Sequence, residues 1–176
     1  PTTVNLESLQ SSWFNAYISF QEVSIFEIGK AEEISYRDRL NAYPTSISKI
    51  DDYIENGNIN FALPSSFDAQ GFPALDYLLY GLGETNEETL GFYTTHTNAD
   101  SYKTLLSRVS QTIHSLTEEV VTSWTGPFRD SFVTNTASSV NGSVDKLTND
   151  FIYYYEKSLR AGKVGIPAGI FSNDPL

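Results

Sequence analysis

One stretch constrains this chain more than any other. Tyr102, Leu105, Leu106, Val109, Ile113, Leu116, Val120 and Trp124 follow one another at steps of mostly three and four. A helix turns once every 3.6 residues, so this spacing gathers the apolar side chains on one face. A helix of that length with one apolar face must bury it against other helices, and the pattern reads as a bundle seam. Its expected partner is a last helix over 138–160, with Val140, Val144, Leu147, Phe151 and Tyr154 inside and Gly162 as its stop.

The rest of the chain repeats the helical period. Over residues 6–26, Leu6, Leu9, Trp13, Tyr17 and Phe20 form a stripe, and Gly29 punctuates its end. A mixed segment over 31–43 ends at Pro44, because the residue before proline is pushed out of helical conformation. Thr45 or Ser46 caps a predicted helix over 47–55, stopped by Gly57. Residues 61–70 read as loop. A short apolar helix runs from Phe72 to Tyr80, with Pro73 in the first turn where no amide hydrogen is needed. Residues 84–98 read as a polar connection, 128–136 as a helix and 163–176 as a Gly- and Pro-rich tail. No segment of useful length alternates with a strand period. The predicted class is all-α, a helical bundle with no internal repeat.

Composition removes whole classes of function. Lys and Arg number 11 and Asp and Glu 22, a net charge of −11, which repels phosphate backbones and anionic lipid. With no Cys there is no disulfide scaffold, thiolate metal site or cysteine nucleophile, and two His cannot build a multi-histidine centre. No apolar run approaches the roughly 20 residues of a membrane span. The chain contains no Met and opens Pro1-Thr2-Thr3, so a processed protein or a fragment is expected. The zinc-protease pattern HExxH, the nucleophile elbow GxSxG, the Asp-Thr-Gly of aspartic proteases and an EF-hand loop are all missing.

The isolated polar groups have ordinary explanations. His114 and Glu118 stand four apart and read as a surface pair. His96 reads as a solvated side chain. Asp51, Asp52 and Glu55 form a wet helix face, and Glu84, Glu87 and Glu88 a solvated run. Two segments ask for more. One is Gly71-Phe72-Pro73-Ala74-Leu75-Asp76-Tyr77-Leu78-Leu79-Tyr80-Gly81, a short apolar helix between glycines with an acid near its positive end. The other is Lys163-Val164-Gly165-Ile166-Pro167-Ala168-Gly169-Ile170-Phe171, an irregular apolar stretch that is expected to pack on something.

These two segments resemble the imelysin-like family, whose hallmark is Gly-x-His-x-x-Glu opening a short helix. Gly71 to Gly81 looks like that motif and its continuation. The stretch with Trp13, Phe20, Phe26 and Gly29 is similar to the family's early helix and turn. Arg39-Leu40-Asn41-Ala42-Tyr43-Pro44 is similar to its lead into the next helix, and 163–171, after Arg160, to its post-helix segment. The resemblance implies two bundle-like lobes, of which this chain holds mostly the first, in a protein exported to the periplasm or anchored as a lipoprotein. It implies iron-uptake components as partners and iron or another divalent metal as the cofactor it allows. The sequence departs from the motif at two places: Pro73 stands at the His position and Asp76 at the Glu position. Proline has no ligand atom, so that pair cannot chelate. Gly71 and Pro73 then shape the motif, while Asp76, with Arg37, Arg39 and Arg160, is the candidate ligand-binding set. The expected function is an exported binding or uptake accessory protein without proteolysis. A metallopeptidase of the same family and a purely structural helical module are the competing readings.

Overall fold

A computed structural model describes residues 1–58 and 60–172. Among them the regular structure is all helical. They divide into two compact units, one of Pro1–Glu22 with Ser35–Glu118, the other of Val23–Ile34 with Glu119–Leu176.

The first unit begins with α1, Thr3–Val23, and continues with α3, Tyr36–Leu40, and α4, Ile47–Asn56; the short α2, Lys30–Glu33, belongs to the second unit. A 3₁₀ turn at Pro64–Ala69 lies where loop was expected, and Ser66 and Ala69 inside it are buried. Next come α5, Gly71–Asp76, widening into a π-type turn over Tyr77–Gly81, then α6, Asn86–Thr94, and α7, Ala99–Thr125. α7 belongs to the first unit through Glu118 and to the second beyond it.

The core of the first unit joins Ile50, Tyr53 and Ile54 of α4, Ala74, Leu75 and Leu78 of the α5 region, Tyr93 of α6, and Tyr102, Leu105 and Val109 of α7. The α7 seam is therefore buried as its spacing requires, but against α4 and α5. In the helix expected to cover that seam, Val140, Val144 and Phe151 are 83%, 68% and 55% exposed rather than buried. The stripe of α1 also shifts. Leu6, Gln10 and Phe20 are buried while Leu9 is exposed. Positions 6, 10, 13, 17 and 20 alternate steps of four and three, which holds one face better than a stripe through Leu9.

The expected polar connection over 84–98 contains α6. Thr85 accepts a hydrogen bond from the Glu88 amide at 3.2 Å, and the Glu88 carboxylate accepts from the Thr85 amide at 3.3 Å. This reciprocal box starts the helix despite its polar sequence. Gly57 stops α4 in the left-handed conformation, as expected, although no side chain caps the start of that helix.

The second unit holds α8, Pro127–Thr134, and α9, Ser143–Tyr153, which continues as wide turns over Tyr154–Gly165. Gly162 lies inside that continuation rather than at its end. Trp124, Phe128 and Phe132 pack as a ring cluster with centroids 5.0–5.9 Å apart. The Phe128 ring covers Gly29, which has φ +65°, so a side chain at Gly29 would meet both a ring and a strained backbone. The Ser24 hydroxyl lies 3.0 Å from that of Tyr154. Residues 173–176 of the expected tail lie outside the described residues.

Candidate functional site

The motif helix is fixed by its carbonyls. The Trp13 indole donates to the Phe72 carbonyl at 3.1 Å, and the Gln10 amide donates to that of Leu79 at 2.9 Å. The buried Tyr93 hydroxyl donates to the Leu78 carbonyl at 2.5 Å. Gln10 also reaches the Asn86 side chain at 3.0 Å. Leu78 and Leu79 lie in the π-type turn, where the usual i+4 pairing is lost, and Tyr93 of α6 and Gln10 of α1 supply donors to their carbonyls; Trp13 adds one to Phe72 in the α-helical part. None of these roles follows from a helical-period reading of apolar residues. The one available signal is Gln10 itself, a polar residue on an apolar stripe.

Gly71 opens the helix at φ +76°, and a Cβ there would run into the carbonyls of Leu40 and Arg39. Only glycine accommodates both constraints, so this residue sets how closely α5 approaches α3. Pro73 follows in the first turn and is half-buried, while Asp76 and Tyr80 reach solvent. Positions 73, 76 and 80 share one face of the helix.

Beside that face lies a run of rings. Trp13 stacks on Tyr17 with centroids 5.5 Å apart and meets Tyr80 edge-on at 5.6 Å; Tyr17 and Phe20 lie 5.2 and 5.3 Å from Phe72. Partial burial, with no neighbouring cation to oppose it, holds the Asp76 carboxyl above the usual carboxylate range. Burial and then the Asp76 charge push the Tyr80 phenol up.

The candidate arginines go elsewhere. Arg37 is buried in α3 and Arg39 is half-buried, donating to the Phe61 carbonyl at 3.4 Å with its guanidinium 5.8 Å from the Phe67 ring centre. Neither forms an ion pair with Asp76. Arg160 belongs to the second unit, where its Nε donates to the Glu156 carboxylate at 2.6 Å. His96 is exposed, as expected; its ring also stacks on Phe92 at 5.3 Å and its Nδ1 accepts from the Asn98 amide. His114 and Glu118 are exposed on α7.

This donor set does not suit a metal of the kind the Gly-x-His-x-x-Glu pattern holds. Position 73 offers no ligand atom, position 76 offers one short carboxylate, and among the described residues no three His, Cys, Asp or Glu side chains gather. A lone acid without a base partner or nucleophile also lacks the parts of a hydrolytic centre. What the face offers is one hydrogen-bond-accepting acid beside apolar rings, a common composition for a binding surface.

A family model described as Imelysin matches residues 1–175. No curated protein and no solved structure matches the chain. No helix among the described residues is long and apolar enough to cross a membrane.

Proposed function

The chain belongs to the imelysin family, and from that premise we propose that it is a non-proteolytic binding protein of the cell envelope, an accessory to iron uptake. One observation carries the non-proteolytic part. The motif helix has the motif's glycine but presents Pro73 and Asp76, a surface with one acid and no chelating pair. The envelope and iron-uptake parts rest on the family resemblance. Phe14 and Ile18 on α1, and Val144, Phe151 and Val164 in the second unit, are more than 45% exposed. Such apolar exposure supports a further helical lobe or a partner packed on these surfaces.

The test is made on purified protein. Casein and short peptides are incubated with it, with and without a chelator, and ferrous, ferric and zinc ions are titrated calorimetrically. The expected result is no chelator-sensitive cleavage and no stoichiometric sub-micromolar metal binding. Chelator-sensitive cleavage, lost in Asp76→Ala, would replace this reading with the peptidase one. Fractionation of producing cells under iron limitation tests location and association: the protein should be found in the envelope fraction at raised level, and a cytosolic protein indifferent to iron would overturn that part.

A further inference from the structure

The sequence holds two Asn-Gly steps, Asn56-Gly57 and Asn141-Gly142, and the fold treats them differently. An asparagine followed by glycine can close on itself, because glycine has no side chain to shield its nitrogen from the asparagine side chain. Closure needs both groups to leave their hydrogen bonds and meet. Asn56 is the last residue of α4. Its side-chain amide donates to the Asp52 carboxylate at 2.6 Å, one turn back, and the Gly57 amide donates to the Tyr53 carbonyl at 3.0 Å. Cyclisation there requires the last turn of the helix to unwind.

Asn141 lies between α8 and α9, outside both. Residues 133–141 are all exposed, and the Asn141 side chain makes no hydrogen bond to a described residue. Gly142 is buried, and its amide donates to the Ser139 carbonyl at 2.6 Å, a single turn bond that opens without unwinding a helix. Exposed backbone with few buried contacts is where local opening costs least. The same turn fixes how α9 starts. The Asn135 side-chain amide donates to the Asn141 carbonyl at 2.7 Å, the Ser143 amide donates to the Asn135 carbonyl at 3.1 Å, and the Ser143 hydroxyl donates to the Phe132 carbonyl. A Cβ at Gly142 would collide with the Ala137 carbonyl, so the chain passes closely there.

We propose that Asn141 is a site of spontaneous modification: it deamidates through a cyclic imide with Gly142, and the isoaspartyl product loosens the join between α8 and α9. In the first step the Gly142 nitrogen attacks the side-chain carbonyl carbon of Asn141. A new carbon–nitrogen bond closes the ring, the bond to the side-chain nitrogen breaks, and ammonia leaves with the proton of the Gly142 amide. Water, the one co-reactant, then opens the ring at either imide carbonyl. Opening at the side-chain carbonyl gives aspartate. Opening at the main-chain carbonyl gives isoaspartate, in which the chain runs through the former side chain and gains a methylene. Nothing is oxidised or reduced. Either product adds one negative charge to a chain already at −11. Aspartate keeps the backbone and stands just before the start of α9, where the helix dipole favours an acid. Isoaspartate displaces the Asn141 carbonyl from the Gly142 amide, so the bonds that tie this turn to Asn135 and Phe132 are not all kept.

The whole chain is incubated at pH 7 and pH 9, folded and in guanidinium chloride, and deamidation is followed at each asparagine by peptide mass spectrometry. In the folded chain Asn141 should react at least about fivefold faster than Asn56, and faster at pH 9, because the attacking nitrogen must lose its proton. In denaturant the two rates should come within about twofold of each other. Asn141→Gln, at an exposed position, should remove the reaction and leave circular dichroism unchanged. Asn56 reacting as fast as Asn141 in the folded chain overturns the site, as does an Asn141 that stays intact there while the unfolded chain reacts. The structural effect is tested against Asn141→Asp, which supplies the charge without the methylene. Electron-transfer fragmentation identifies the isoaspartyl fraction, and its amide exchange over residues 132–146 should be at least about threefold faster than in that variant. Equal exchange in the two overturns the loosening. These readouts involve neither substrate cleavage nor metal binding nor location in the cell.

Discussion

Ionising a carboxyl group that protein partly covers costs solvation, and at Asp76 no cation offsets that cost. Its folded pKa therefore lies above the unfolded one, and the folded state holds the proton to higher pH. Stability linked to this group is fully present below the unfolded pKa and is lost as pH rises through the folded value. Asp76→Asn, which has no charge to desolvate, should be the more stable form at neutral pH, by up to about 0.5 kcal/mol for so accessible a side chain. Urea melts of both proteins from pH 3 to 7 check this: the gap should open in favour of the variant as pH rises, and a gap that opens the other way would contradict the burial argument. Gly71 poses a different problem, because its φ of +76° and the nearby carbonyls of Leu40 and Arg39 both oppose a side chain. Gly71→Ala should cost at least about 1–3 kcal/mol in the same melts. A neutral result would mean that α5 can draw back from α3 without loss.

At the scale of elements, the widened turn after α5 is held by donors from its neighbours. Tyr93→Phe keeps the ring but removes the donor to the Leu78 carbonyl in a buried place. The expected cost is about 1–3 kcal/mol, the penalty for leaving one buried polar group unpaired. Amide exchange around residues 78–82 should speed up, and unchanged exchange would show that water takes over the role. The α7 seam gives a paired test of packing. Leu116→Ala should cost about 2–5 kcal/mol, since Leu116 is 4% exposed, whereas Val144→Ala should lie within about 0.5 kcal/mol of zero. Equal costs would mean that Val144 is packed as tightly as Leu116. This contrast also marks what the sequence made legible. Spacing of three and four identifies α7 as a helix with a buried face, because burial imposes the period whatever the partner. It does not say which element covers that face. α6 carries no apolar period to mark it, and the signal for its start lies instead in the Thr85–Glu88 box. At the candidate site, Gly71 and Asp76 stand out in sequence by residue type. The remote donors Gln10, Trp13 and Tyr93 act through backbone carbonyls, which no side-chain pattern records.

On the scale of the whole molecule, apolar surface and net charge act against each other. Leu9, Phe14 and Ile18 on α1, and Val140, Val144, Phe151, Ile170 and Phe171 in the second unit, are exposed in the chain as described. Apolar area of this kind drives association, while a charge of −11 on every copy resists it. Salt separates the two contributions. Screening shortens the reach of charge repulsion to about 8 Å at physiological ionic strength and to about 3 Å at 1 M, and leaves apolar contact intact. The isolated chain should therefore bind a hydrophobic dye in its native state at low salt, and should associate more strongly as sodium chloride rises. Native-state dye fluorescence and sedimentation velocity over a range of protein and salt concentrations check both. Replacing Phe14 and Ile18 together by Ser should lower the dye signal with little change in the urea midpoint, because neither side chain is buried. A monomer at every salt concentration that binds no dye would mean that these surfaces are tolerated as they stand, and the reading of a further lobe or partner covering them would fail.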